Sequence, residues 1–104
     1  MTLNEFSDLL ETRSGLPVTY RAWLEGEAPE LPFLCYLVAG TDTLPADGGV
    51  YVQWDNVRVE LYTAKKDPAL EAKVEAALAG FTWTKEETYI TSERCYLIAY
   101  GVDV

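Results

Sequence analysis

VYVQWDNVRVELYTAKKDPALEAKVEAALAG, residues 50–80, joins a strand pattern directly to a helix pattern. In its first part Val50, Val52 and Trp54 alternate with Tyr51, Gln53 and Asp55. Beyond Asn56 the parity reverses, and Val57, Val59 and Leu61 alternate with Arg58, Glu60 and Tyr62. Strand side chains alternate between two faces, so apolar parity reverses only with an extra residue, a bend or a change of covering layer. A bulge or bend is therefore expected near Asp55–Asn56, dividing a tip that faces a partner from a base that faces the core. The helix that follows has clear punctuation. Asp67 is a good N-cap, and Pro68 sits at the first helical position, where its missing N–H costs nothing. Leu70, Val74 and Leu78 recur on one face with Ala77 beside them, which predicts packing on a sheet against residues such as Val57, Val59 and Leu61. Ala69, Ala72, Ala76 and Ala79 permit close approach, and Gly80 ends the element.

Upstream, the apolar run FLCYLVAG (33–40), bounded by Pro32 and Gly40, predicts a central strand covered on both faces or nearly so. TDTLPADGG (41–49) is rich in turn formers and longer than a tight hairpin needs, so it is expected to project as an arm. VTYRAWL (18–24) predicts a short strand, and GEAPELP (26–32) a polar connection. The N-terminal segment is a helix: Thr2 and Glu5 have capping-box spacing, Leu3, Phe6, Leu9 and Leu10 share a face, and Gly15 and Pro17 stop it. Downstream, FTWTKEETYI and RCYLIAYGVDV predict two strands around a turn at Ser92–Glu93. The order α-β-β-β-α-β-β implies one α+β domain, residues 1–104, with two helices on a mostly antiparallel sheet.

With 104 residues, 49% apolar and 12% aromatic, the chain builds a single modest core. No apolar run approaches the roughly 18 residues of a membrane span. The N-terminus lacks the basic-then-apolar layout of a signal peptide, which predicts an intracellular protein. Seventeen acidic against eight basic residues give a net charge of −9. Such a surface repels phosphates and argues against ordinary nucleic-acid binding.

Catalytic motifs do not stand out. The chain has no histidine, which removes the commonest general base and metal ligand. Phosphate-loop, dinucleotide and nucleophile-elbow motifs are missing. Asp42 and Asp47 lack the regular alternation of oxygen ligands of a calcium loop, and no cofactor or metal is expected. Cys35 and Cys95 have no zinc or redox spacing. They read as buried reduced thiols, and a disulfide between them requires neighbouring strands. Trp23, Trp54 and Trp83, all in predicted strands, read as core or interface anchors. No enzymatic activity is expected.

Several stretches together resemble the small tail proteins of long-tailed bacteriophages and prophages. These are the amphipathic first helix ending in SGLPVTY, the strand PFLCYLV, the run VRVELYTAKKDPALEAKVEAAL and the closing ETYITSERCYLIAY. The likeness spans nearly the whole chain, and the family is that of tail terminators, also called tail-completion or tail-to-head joining proteins. It implies an α+β virion structural protein, assembled in the host cytoplasm as a ring, typically a hexamer, on the head-proximal end of the tail. The implied partners are further copies of itself, the tail-tube protein and a head-completion or stopper protein. DNA passes without specific binding, and no membrane is involved. Neighbouring connector rings (stopper, head-completion) share the small acidic character. A different class, a monomeric acidic inhibitor or DNA mimic, fits the charge but not its layout, because the acids occur in short groups between aromatics.

If this is a ring, the assembly surface is expected at the 41–49 loop and the strand tip, with Leu44, Asp47, Tyr51 and Trp54. Lumen-facing acids are expected among Glu25, Glu27, Glu30, Glu86, Glu87 and Glu93, since acids facing a water-filled channel keep their hydration.

Overall fold

The computed structural model describes residues 1–24 and 26–104, with their side chains apart from those of Ala46, Val50 and Tyr51. Helix α1 (Leu3–Ser14) opens on the expected capping box: Thr2 accepts from the Glu5 N–H, and Glu5 accepts from the Thr2 N–H. It closes at Gly15, whose φ of 73° is left-handed and suits a residue without a Cβ. Strands β1 (Val18–Tyr20), β2 (Phe33–Ala46) and β3 (Gly49–Thr63) follow. Then come α2 (Pro68–Ala77), β4 (Trp83–Ile90) and β5 (Cys95–Asp103). The architecture is α+β, with one five-stranded sheet in the order β1-β2-β3-β5-β4. Three of its pairings are antiparallel; β1 alone runs parallel to its neighbour, with Val18 opposite Leu34 and Tyr20 opposite Tyr36.

Both helices lie on one face of this sheet. Phe6 and Leu10 of α1, Val74 of α2 and Leu78, which caps its C-terminus, are fully buried against Leu34, Tyr36, Val57, Val59, Leu61, Ile98 and Tyr100. The predicted α2 face and its β3 partners thus share one core, with Leu70 at its margin. The Arg13 guanidinium donates to the Ala77 carbonyl at 3.2 Å, tying the C-terminal ends of the two helices together. Buried Ser14 is satisfied locally, donating to the Leu10 carbonyl at 2.6 Å.

Three expectations need correction. The strand predicted over 18–24 ends at Tyr20, because Arg21 takes a φ of 65° and turns the chain away, so Trp23 lies in a loop. The segment 41–49 is not a long loop. β2 runs through Ala46, and only Asp47–Gly48 form the turn, with Ala46 opposite Gly49 and Gly48 at φ 81°. An Asp-Gly pair between two strands is a strong hairpin signal, and it lay in the sequence. Finally, β3 carries no extra residue near Asp55–Asn56; the bulge at this level is on β2. Val38 faces Val57 and Gly40 faces Asn56, so Ala39 is the extra residue. Its level in the sheet matches the Asn56–Val57 step, where β3 itself passes straight through, so that Val52 and Trp54 point to the face opposite Val57, Val59 and Leu61.

Candidate functional site

β5 and the chain end accompany β3 only as far as Asp55, which exchanges backbone hydrogen bonds with Val104. Beyond this level β2 and β3 pair with each other alone. Five residues of β2 (42–46) and six of β3 (49–54), at ~3.3 Å per residue, form an arm of about 17–20 Å, in a molecule whose longest dimension is 50 Å. Pro45, which would interrupt a ladder in a central strand, is accommodated here because the outer side of β2 has no neighbour.

Register assigns the arm side chains to faces. Leu44 lies opposite Val52, and Asp42 opposite Trp54, so these four share one face. Leu44 is 51% exposed and Val52 43%, while Trp54 is half-buried. Asp42 accepts from the Asn56 side-chain amide at 2.9 Å. On the opposite face Thr41 donates to Asp55 at 2.8 Å. Leu44 and Trp54, two of the expected assembly residues, are therefore brought together, and Val52 joins them. Asp47 sits exposed in the turn at the tip. Tyr51 is the extra residue of a second bulge, opposite the Leu44–Pro45 step, and its side chain lies outside the described residues.

The candidate lumen acids do not gather in one place. Glu25 lies outside the described residues. Glu86 and Glu87 are consecutive on β4 and point to opposite faces. Glu87 turns toward the helices and pairs with Lys66. Glu27 and Glu30 belong to the loop between β1 and β2, and Glu93 to the β4–β5 turn; all three are exposed. That loop and that turn meet over an open cavity of about 540 Å³ on the face without helices, at the end away from the arm. Trp23, Leu31, Phe33, Tyr62, Ile90 and Cys95 supply most of its apolar lining. Trp23 meets Phe33 edge-on at 5.8 Å, and Phe33 lies 5.3 Å from Tyr62. The Trp23 indole Nε1 is buried with no hydrogen-bond partner.

Two charged groupings were not anticipated. On the helix side, Glu71 is almost fully buried and takes Lys66 at 2.6 Å and Lys85 at 2.8 Å. Lys85 also reaches Glu75 at 2.8 Å, and Glu75 accepts from the buried Tyr100 hydroxyl at 2.8 Å. Burial opposes ionisation of Glu71, but the hydrogen bonds from Lys66 and Lys85 outweigh it and hold the carboxyl below its ordinary value of 4.5. A signal was available, since Glu71 shares a helical face with Val74 and Leu78, and an acid there demands partners. On the other side, Glu60 joins Arg58 at 2.8 Å and accepts from the Tyr62 hydroxyl at 3.1 Å. Burial and the nearby Glu60 push the Cys35 thiol up to about 11. A thiol so disposed stays protonated at neutral pH and is a poor nucleophile. β2 and β5, which carry Cys35 and Cys95, are separated by β3, and both cysteines are free. Among the described residues, no group of three or more acidic or cysteine side chains is placed to hold a metal ion, and no helix is long and apolar enough to cross a membrane. No protein-family model matches the sequence, and no curated protein is significantly similar to it.

Proposed function

We propose that the chain is a structural subunit of a long-tailed phage or prophage, a tail terminator that closes the head-proximal end of the tail tube as a ring and offers the surface on which the head docks. The observation that carries this reading is the arm. It projects from a well-packed base and exposes Leu44 and Val52 beside Trp54, a face that no element among the described residues covers. An exposed apolar strand face with free edges marks an interaction surface. The resemblance of the VRVELYTAKKDPALE region to tail proteins supplies the particular role. In this reading the protein has no catalytic function, and its partners are other copies of itself, the tail-tube protein and a stopper or head-completion protein. Exposed Glu27, Glu30, Glu86 and Glu93 are the acids available to line a passage for DNA, whereas Glu87 is held by Lys66.

Light scattering after size exclusion, across protein concentrations and salt, with negative-stain microscopy of any large species, tests the proposal. Closed rings with an opening wide enough for duplex DNA are expected. A monomer under every condition would instead favour an acidic inhibitor.

A further inference from the structure

Building on that ring reading, we infer that the arm of one copy seats in the outer-face cavity of the next, so that Leu44, Val52 and Trp54 enter a socket formed by Trp23, Leu31, Phe33 and Tyr62. The two surfaces match in chemistry. The socket is apolar and aromatic, and the cation in its lining is the exposed Arg21. Arg21 forms no ion pair among the described residues. The arm offers an apolar face and negative charge: residues 40–57 hold Asp42, Asp47 and Asp55 and no lysine or arginine. An aspartate arriving with the apolar side chains meets the Arg21 guanidinium, the cation of the socket lining.

Other occupants fit less well. Nucleic acid is repelled by a chain of net charge −9. A symmetric arm-to-arm contact would press aspartates against aspartates, and like charges apposed at an interface are unfavourable. The position of the two surfaces also matters. The arm leaves the sheet beyond Val38 and Val57, while the socket lies at the Phe33, Tyr62 and Cys95 end. A contact between different patches at opposite ends is heterologous, and repetition of it generates a ring or a filament. Glu27, Glu30 and Glu93 near the socket repel the incoming aspartates, so this contact tightens when salt screens them.

A complementation experiment decides the matter. One variant disables the arm, Leu44→Glu with Val52→Glu. Another fills the socket, Ala28→Trp, with Ala22→Trp as a second choice; both alanines are exposed and line the cavity. Circular dichroism confirms folding, and sedimentation velocity at moderate salt reads association. Each variant alone is expected to self-associate at least about tenfold more weakly than the native chain. Mixed in equal amounts, they should form a heterodimer, because one intact arm meets one intact socket. Socket variants that assemble like the native chain, or a mixture that stays monomeric while the native chain assembles, overturn the socket and leave the ring reading standing. A native chain that never associates overturns both.

Discussion

The two halves of β3 are built from similar residues and meet different fates. At the base, Val57, Val59 and Leu61 are at most 1% exposed, beneath Phe6, Leu10, Val74 and Leu78. Toward the tip, Val52 and its cross-strand partner Leu44 stand 43% and 51% exposed. Burying a Val or Leu side chain fully is worth about 1.5–3 kcal/mol, so the base residues hold the monomer together. The arm residues contribute little of this kind within one chain. Their apolar character has no account in the fold of the monomer, and an apolar strand face left in water is an aggregation hazard. The difference between the halves therefore separates residues that make the fold from residues left over for something else.

The strongest challenge to this division is to damage the covered half. Leu78→Ala removes a fully buried side chain from the helix–sheet seam, and a cost of roughly 2–5 kcal/mol is expected. Val74→Asp should be worse, since it places a carboxylate among Phe6, Leu10 and Val59 with no cation in the same cluster. Urea denaturation measures both. An unchanged midpoint for Val74→Asp would show that the α2 face has been assigned wrongly.

A milder perturbation asks how a charge survives under the same cover. Glu71→Gln keeps the shape but removes the carboxylate that binds Lys66 and Lys85. Hydrogen bonds to charged groups contribute about 1.5–3 kcal/mol; because both lysines are partly exposed, a loss of about 1–2 kcal/mol is expected. The sign of the pH dependence follows from the lowered pKa. The folded state binds this proton more weakly than the unfolded chain does, so the stabilisation is present above about pH 4.5 and is lost as the pH falls below it. Glu71→Gln should accordingly flatten the fall in stability between about pH 5 and pH 3. A variant as acid-sensitive as the native chain would show that Glu71 is not what couples folding to protons there.

What was legible in the sequence depended on whether the signal was local. Caps at Thr2, Gly15 and Asp67 and the periodicity of α1 and α2 depend on a few adjacent residues, and each element was found. The parity reversal in β3 was also visible, and its level in the sheet was right. Its form was not visible: β3 alternates straight through and turns its apolar residues to the uncovered face, while the extra residue at that level, Ala39, is on the neighbouring strand, and pairing is a property of two distant segments. β1 was overextended for a similar reason. Nothing in VTYRAWL announces that Arg21 takes a left-handed conformation, and the parallel pairing of β1 with β2 depends on tertiary closure. In TDTLPADGG the Asp-Gly turn was masked by the other turn formers around it. Of the site, Leu44 and Trp54 could be picked out as apolar residues outside the core pattern. Their union with Val52 required the register. The socket joins a loop, two inner strands and a turn, which no sequence pattern could assemble.

The smallest effect on stability belongs to the arm, and there the comparison is sharpest. Leu44→Thr supplies a β-branched, strand-compatible side chain and removes an exposed apolar one. A change within about 0.5 kcal/mol is expected in urea denaturation of the monomer, as for surface positions generally. Association should respond quite differently, weakening while the fold stays intact. Salt gives a second axis on which the contact is read. Subunits of net charge −9 repel one another, and the screening length shortens to about 10 Å at 0.1 M salt. Native self-association, followed by sedimentation, should therefore strengthen from low to moderate salt. Leu44→Thr should show the same salt slope from a weaker starting point, because it changes apolar contact and leaves every charge in place. Association that weakens as salt rises would mean that attraction between opposite charges governs the interface. An unchanged association constant for Leu44→Thr would return this half of β3 to a merely exposed strand.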